Sequence, residues 1–212
     1  MTRPRRLTFR PLSADTWPDL VALFGPRGAC GGCWCMVWRR SRRDFVAGKA
    51  GGNRRALARL ARATPSPGVL AYAGREAVGW CAVAPRSAYP ALERSRVLQP
   101  VDDQAVWSVS CFVVAKAWRG QGVSLALLRR AVAFAAARGA RIVEGYPTET
   151  AAPAPAVFVW TGLASVFRAA GFTEVARRSP TRPIFRIDCR AGSTGSRAPG
   201  EAHGSASDAV TE

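Results

Sequence analysis

The run Cys111-Phe112-Val113-Val114-Ala115-Lys116-Ala117-Trp118-Arg119-Gly120-Gln121-Gly122-Val123-Ser124 constrains the fold more than any other stretch of the chain. It reads as the end of a buried strand, a short basic turn with two glycines, and the opening of a helix. That arrangement aims backbone N–H groups at one point in space, and such a point binds phosphate. Upstream, the β-branched and aromatic run Val106 to Ala115 predicts the central strand. Downstream, Ser124, Leu127, Leu128, Ala131, Val132 and Ala135 recur at helical spacing, Arg129 and Arg130 project outward, and Gly139 supplies the stop. Arg141 to Tyr146 is then a strand parallel to the central one, because a helix of about 16 residues carries the chain back in a right-handed crossover.

The flanking sequence fills in one domain. Leu7 to Pro11 alternates like an edge strand, and Ser13 is the expected N-cap of a helix from Ala14 to Phe24. A second helical pattern runs from Asn53 to Arg62. Val69 to Ala73 and Ala77 to Ala84 form a hairpin around Gly74-Arg75-Glu76. Ala156 to Ala170 predicts a further amphipathic helix ended by Gly171, and Phe172 to Ala176 pairs with Arg182 to Asp188. Residues 191–212 are poor in large apolar side chains and read as a disordered tail, which leaves 1–190 as the folded domain.

Composition narrows the chemistry. With 31 Lys+Arg against 14 Asp+Glu, the formal charge of +17 favours an anionic ligand or partner. No apolar run approaches a membrane span and no secretory h-region is present, so the expected location is the cytoplasm. The one histidine, His203, lies in the tail, which excludes histidine bases and serine-histidine triads from the domain. Cys30, Cys33 and Cys35 have metal-like spacing, but Cys81, Cys111 and Cys189 fall in separate expected strands, so no fourth zinc ligand is in view and no metal is expected.

The element order resembles the GNAT superfamily of N-acetyltransferases over roughly Leu7 to Cys189. Arg119-Gly120-Gln121-Gly122-Val123-Ser124 is similar to that family's pyrophosphate signature, and Phe167-Arg168-Ala169-Ala170-Gly171-Phe172 to a motif near the end of its next helix. The resemblance implies an α/β (α+β) fold, with a mixed sheet of about six to seven strands, about four helices and a splayed parallel pair at an acetyl-CoA site. It implies acetyl-CoA as co-substrate, bound by Phe112, Val113 and Val114 along the strand and by Arg119, Gly120, Gln121, Gly122, Val123 and Ser124 at the turn. It also implies transfer of acetyl to a primary amine, of a small molecule rather than a protein, by direct attack in a ternary complex.

Two departures bear on proton transfer. Phe167 stands where relatives often carry a proton-donating tyrosine, and Trp107-Ser108-Val109-Ser110-Cys111 offers no carboxylate or histidine. Glu144 and Tyr146, two apart on the neighbouring strand, are therefore the candidate base and acid, against the simpler reading that Glu144 pairs with an arginine and Tyr146 packs. Cys111, an apolar buried thiol, is a weaker candidate for carrying the acetyl group itself. Trp34, Met36, Trp38 and Arg39, in the loop that forms one side of the acceptor cleft in this family, suggest an acceptor with an apolar part or a carboxylate. A dinucleotide-binding reading fails because Leu125 occupies the third glycine position of that fingerprint. The alternative from another class is a non-enzymatic, basic RNA- or nucleotide-binding module, which no RNP-like strand motif supports. A homodimer is left open.

Overall fold

A computed structural model describes residues 6–150 and 159–189. Seven strands form one sheet in the order β1-β2-β3-β4-β5-β7-β6. They are β1 (Leu7–Pro11), β2 (Gly68–Ala73), β3 (Glu76–Pro85), β4 (Val106–Val114), β5 (Ile142–Gly145), β6 (Thr173–Arg177) and β7 (Pro183–Asp188). All neighbours are antiparallel except β4 and β5. The helices among the described residues are α1 (Trp17–Phe24), α2 (Arg42–Ala47), α3 (Gly52–Leu60), α4 (Pro90–Glu93), α5 (Val123–Ala136) and α6 (Ala164–Ala169). None is long and apolar enough to cross a membrane.

The mixed sheet and the parallel β4–β5 pair agree with the expected fold class, and two short helices, α2 and α4, raise the helix count above the expectation. Alternation along β3 explains why both sheet faces are covered. Cys81 and Val83 join the apolar cluster under α5 and α6, whereas Trp80 and Ala82 join the one under α1 and α3; Val78 also reaches the α5 side because it is an extra residue in the β2–β3 register. In α5, Val123, Leu127, Leu128, Ala131, Phe134 and Ala135 are buried, an i, i+4 stripe that lies on β2, β3 and β4. Gly79 lets α5 approach closely, since a β-carbon there would stand 2.8 Å from Leu127 Cδ1.

Three boundaries differ from expectation. α1 begins at Trp17, not Ala14, because Ser13 and Thr16 cap each other: Ser13 N–H donates to Thr16 Oγ1 (2.8 Å) and Thr16 N–H to Ser13 Oγ (3.3 Å). α2 was not among the expected helices, although Ser41 accepts from Asp44 N–H at 3.1 Å in an S-x-x-D cap. The helix expected from Ala156 begins only at Ala164. Residues 160–163 instead form a turn and a bridge from Leu163 to Thr148, which holds them in the sheet plane. The earlier part of that helix, and the expected tail at 191–212, lie outside the described residues.

β5 packs under α6 through Gly145. A β-carbon at Gly145 would lie 2.1 Å from Phe167 Cε1, and that ring is boxed in by Phe112, Phe172 and Phe185 at centroid separations of 5.0–6.2 Å. Gly145→Ala is therefore expected to cost about 1–3 kcal/mol through overpacking. Thermal unfolding followed by circular dichroism should show a melting temperature several degrees lower.

Candidate functional site

The parallel ladder is short. It pairs Val106 with Ile142, Trp107 with Val143, Ser108 with Glu144 and Val109 with Gly145, and stops there. On the other side of β4 the register steps from Val83↔Val109 to Ala82↔Cys111, so Ser110 is an extra residue relative to β3. A bulge of this kind bends and twists its strand, and β4 leaves β5 at that point. The segment 160–163 enters the gap: Phe112 N–H donates to Trp160 O (2.7 Å) and Thr148 N–H to Gly162 O (2.8 Å). Ala115 N–H donates to Val78 O of β3, so alternation turns the Val113 amide toward β3 as well. The amides of Phe112 and Val114 face the gap, the first already bonded and the second beyond the end of β5.

At the end of β4, Arg119 donates through Nε to Val114 O (3.2 Å) and Gln121 through Nε2 to Ala117 O (2.6 Å), which folds the turn on itself. Gly120 and Gly122 have φ of +73° and +76°, and a β-carbon on either would meet nothing within 4 Å. Gly122 caps α5 without a side-chain hydrogen bond, leaving the first-turn amides directed outward with the positive end of the helix dipole. The turn thus presents bare backbone, helix amides and the exposed Arg119 on one surface, an arrangement suited to a diphosphate. Val123 is buried and anchors the helix, while Ser124 is half-buried in its first turn.

Glu144 and Tyr146 are brought together, but inside a closed cluster. Tyr146, just past the end of β5, donates through Oη to Glu144 Oε1 (2.7 Å). Arg86 Nη1 donates to the same oxygen (2.8 Å) and to Tyr146 Oη (2.6 Å), and Ser108 Oγ lies 2.8 Å from Tyr146 Oη. Arg186 Nε holds Glu144 Oε2 (2.8 Å), and its remaining nitrogens bind Asp102. Glu93 and Leu98 O complete the shell of Arg86. Glu144 and Tyr146 are both 0% exposed. Burial, then the Glu144 charge, pushes the Tyr146 hydroxyl well above its ordinary value. Arg86, Arg186 and Asp102 were not anticipated, since each lies on a different element and only the fold brings them together.

The four expected acceptor residues divide. Trp34 and Met36 are core side chains, 4% and 1% exposed, with the Trp34 ring packed near Trp17 and Phe24. Trp38 and Arg39 reach the edge of the site, where Trp38 lies 5.9 Å from Trp160 and its buried Nε1 has no partner among the described residues. Arg39 Nη2 donates to Tyr89 Oη (3.0 Å). Cys35 and Cys111 meet, Sγ to Sγ at 3.1 Å, below this edge. The Cys35 contact and burial push the Cys111 thiol well up, and burial with Cys35 nearby pushes Cys33 up to about 11. The Cys33 and Cys111 thiols stay protonated at neutral pH. Cys30 is exposed, Cys189 follows β7, and among the described residues no three His, Cys, Asp or Glu side chains are grouped to hold a metal ion.

The family model for the acetyltransferase (GNAT) family matches residues 34–158, more than half of the sequence. The chain belongs to that family. A GCN5-related N-acetyltransferase from Kribbella flavida has the same fold at a TM-score of 0.52 and 17% identity, covering 88% of this chain and 99% of that one. A GNAT-family acetyltransferase from Listeria monocytogenes matches at a TM-score of 0.51 and 9% identity, covering 86% and 94%. A Salmonella typhimurium acetyltransferase solved with its cofactor acetyl-CoA matches at 0.48 and 13%, covering 91% and 99%. No curated protein sequence matches the chain.

The cluster makes an acid-dependent prediction. Hydrogen bonds from Arg186 hold the Asp102 carboxyl at about 2, below its ordinary 3.8. A depressed folded value contributes stability that is complete above the unfolded value and is lost as pH falls through the folded one. Asp102→Asn should therefore flatten the loss of stability between about pH 4 and pH 2, as read by denaturant titrations at stepped pH.

Proposed function

We propose that the chain transfers an acetyl group from acetyl-CoA to the primary amine of a small-molecule acceptor, by direct attack within a ternary complex in the cytoplasm. The observation that carries this reading is the open glycine turn at the start of α5 in a member of an acetyltransferase family. Acetyl-CoA, when bound, supplies an acetyl group already activated as a thioester. Arg119, Gly120, Gln121, Gly122, Val123 and Ser124 would hold its diphosphate. The strand segment Phe112, Val113 and Val114 would align its arm, with the Val114 amide as the donor facing the gap and Phe112 shared with Trp160 O.

Trp38 and Arg39, joined by Trp160 and Tyr89, form the acceptor wall in this reading, and Trp34 and Met36 support it from beneath. Of the two candidate proton-transfer groups, Tyr146 is fully buried and already donates its hydroxyl proton to Glu144, so it serves as a positioning group in this reading. Glu144 has both oxygens engaged by arginines, which favours a positioning role over that of a base. The attacking amine then loses its proton to water, and kcat/KM should rise with pH along the amine's own ionisation without an inflection from a protein carboxylate.

Thermal shift separates the classes. At roughly 100 times Kd, acetyl-CoA should stabilise the fold by about 2.7 kcal/mol, or some 5–10 °C. NAD and a short RNA should leave the melting temperature unchanged at physiological salt, and stabilisation by RNA alone would favour the nucleic-acid module instead. Gly122→Val should abolish the acetyl-CoA shift, because its β-carbon enters the space left for the diphosphate. A thiol-release screen over primary amines should then give turnover with wild type, and an absence of turnover with every amine counts against N-acetylation.

A further inference from the structure

Between the end of α1 and the start of α3 the surface opens into a cavity of about 830 Å³. Arg27, Lys49 and Arg54 line it, no acidic residue does, and none of the three forms an ion pair among the described residues. A cleft lined by one sign of charge focuses its potential inward, so three cations here create a standing demand for an anion. Among the described residues, ion pairs with carboxylates are formed by Arg86, Arg168, Arg177 and Arg186; what sets Arg27, Lys49 and Arg54 apart from the other cations without ion pairs is that they line one cavity.

The walls are built and fixed. Gly31 presents backbone with φ of +51° and nothing within 4 Å of where a β-carbon would stand. Trp34 supplies an apolar edge and carries Arg54 5.6 Å above its ring. Asn53, fully buried, staples the two sides: its Nδ2 donates to Gly32 O and Phe45 O, both at 3.0 Å, and its Oδ1 accepts from Arg40 at 2.9 Å. Gly32 must lack a side chain, since a β-carbon there would sit 2.4 Å from Lys49 O. α3 also begins in this cavity behind Gly51, with no side-chain cap on its first amides. The backbone walls are thus fixed before binding, and the ordering left to a ligand is that of the exposed Arg27, Lys49 and Arg54 side chains.

We propose that this cavity binds the phosphate of a phosphorylated small molecule whose apolar part lies against Trp34. Three cations with two planar guanidinium forks match a dianion with several acceptor oxygens better than a carboxylate, which one fork satisfies. The site is separate from the acetyl-CoA turn and independent of the acyl-transfer reading. The sheet lies between them, with α5 on one face and α1 and α3 on the other.

Calorimetric titration of the full chain with phenyl phosphate tests this. Saturable one-to-one binding is expected, weakened at least tenfold in Lys49→Met/Arg54→Ala and unchanged within twofold in Arg119→Ala. Both replaced side chains are exposed, and Arg27→Ala offers a second variant at a third position should the pair unfold. The acetyl-CoA thermal shift should persist in each cavity variant. Lack of saturation, loss of binding only in Arg119→Ala, equal affinity for benzoate, or tighter binding of a short RNA that is lost in the same variants would each overturn the proposal.

Discussion

The extra residue in β4 is the constraint on which the rest of the structure depends. Up to Val109, β4 has the ordinary two partners of a central strand. At Ser110 the register against β3 slips by one, and the strand turns away from β5. The gap between β4 and β5 follows from that slip. The slip exposes the backbone groups of Phe112 and Val114 to this gap, aims the end of β4 at the turn that opens α5, and leaves room for residues 160–163 to be bound edge-on. Buried backbone groups must be paired, so a divergence of this kind persists only where something satisfies them. The Trp160 carbonyl and the Thr148–Leu163 bridge do that here.

Glu144 keeps the divergence from spreading back into the ladder. It stands in register between Ser108 of β4 and Arg186 of β7, and through Arg86 it also fixes the segment that follows β3. A buried ion pair contributes little net stability over an apolar replacement, yet removing one member leaves uncompensated charge and costs about 3–5 kcal/mol. The cluster escapes the worst of the desolvation cost by reaching solvent at its rim, where the Glu93 and Asp102 side chains are 45% and 38% exposed. Its role is therefore geometric: it fixes where β5 ends and hence where the gap begins. The same saturation that makes it a good strut makes Glu144 a poor base.

The legible parts of this chain were those encoded locally. The alternating strands, the i, i+4 stripe of α5 and the glycine turn at 119–122 are each written within one element, so the sheet, the parallel crossover and the open glycine turn are legible in the sequence. What was not legible was non-local. Whether Glu144 faces a substrate or a guanidinium depends on Arg86 and Arg186, which are 58 and 42 residues away. The bulge at Ser110 has no side-chain signature, because a serine in a strand is unremarked until its partner's register is known. The helix expected over 156–170 is present from Ala164 to Ala169 and shorter at its start for a related reason: at 160–163 Trp160 O accepts from β4 and Gly162 O from Thr148, so tertiary pairing overrides the helical periodicity there.

Net positive charge is heaviest in the first third of the chain. Residues 6–62 hold 12 Lys+Arg against 3 Asp+Glu, a difference of +9 out of the total of +17. The ion pairs instead lie on the β5–β7 side, where the carboxylates of Glu93, Asp102, Glu144, Glu149 and Glu174 each meet an arginine. Cations without ion pairs occur on both faces, Arg129, Arg130 and Arg141 on the α5 side among them, but Arg27, Lys49 and Arg54 line one cavity whose two loops Asn53 holds at fixed separation. The turn at the start of α5 combines main-chain amides and a helix terminus with the exposed Arg119, whereas the cavity at the start of α3 relies on side-chain cations; the sheet separates the two surfaces, so neither set of cations can reach the other.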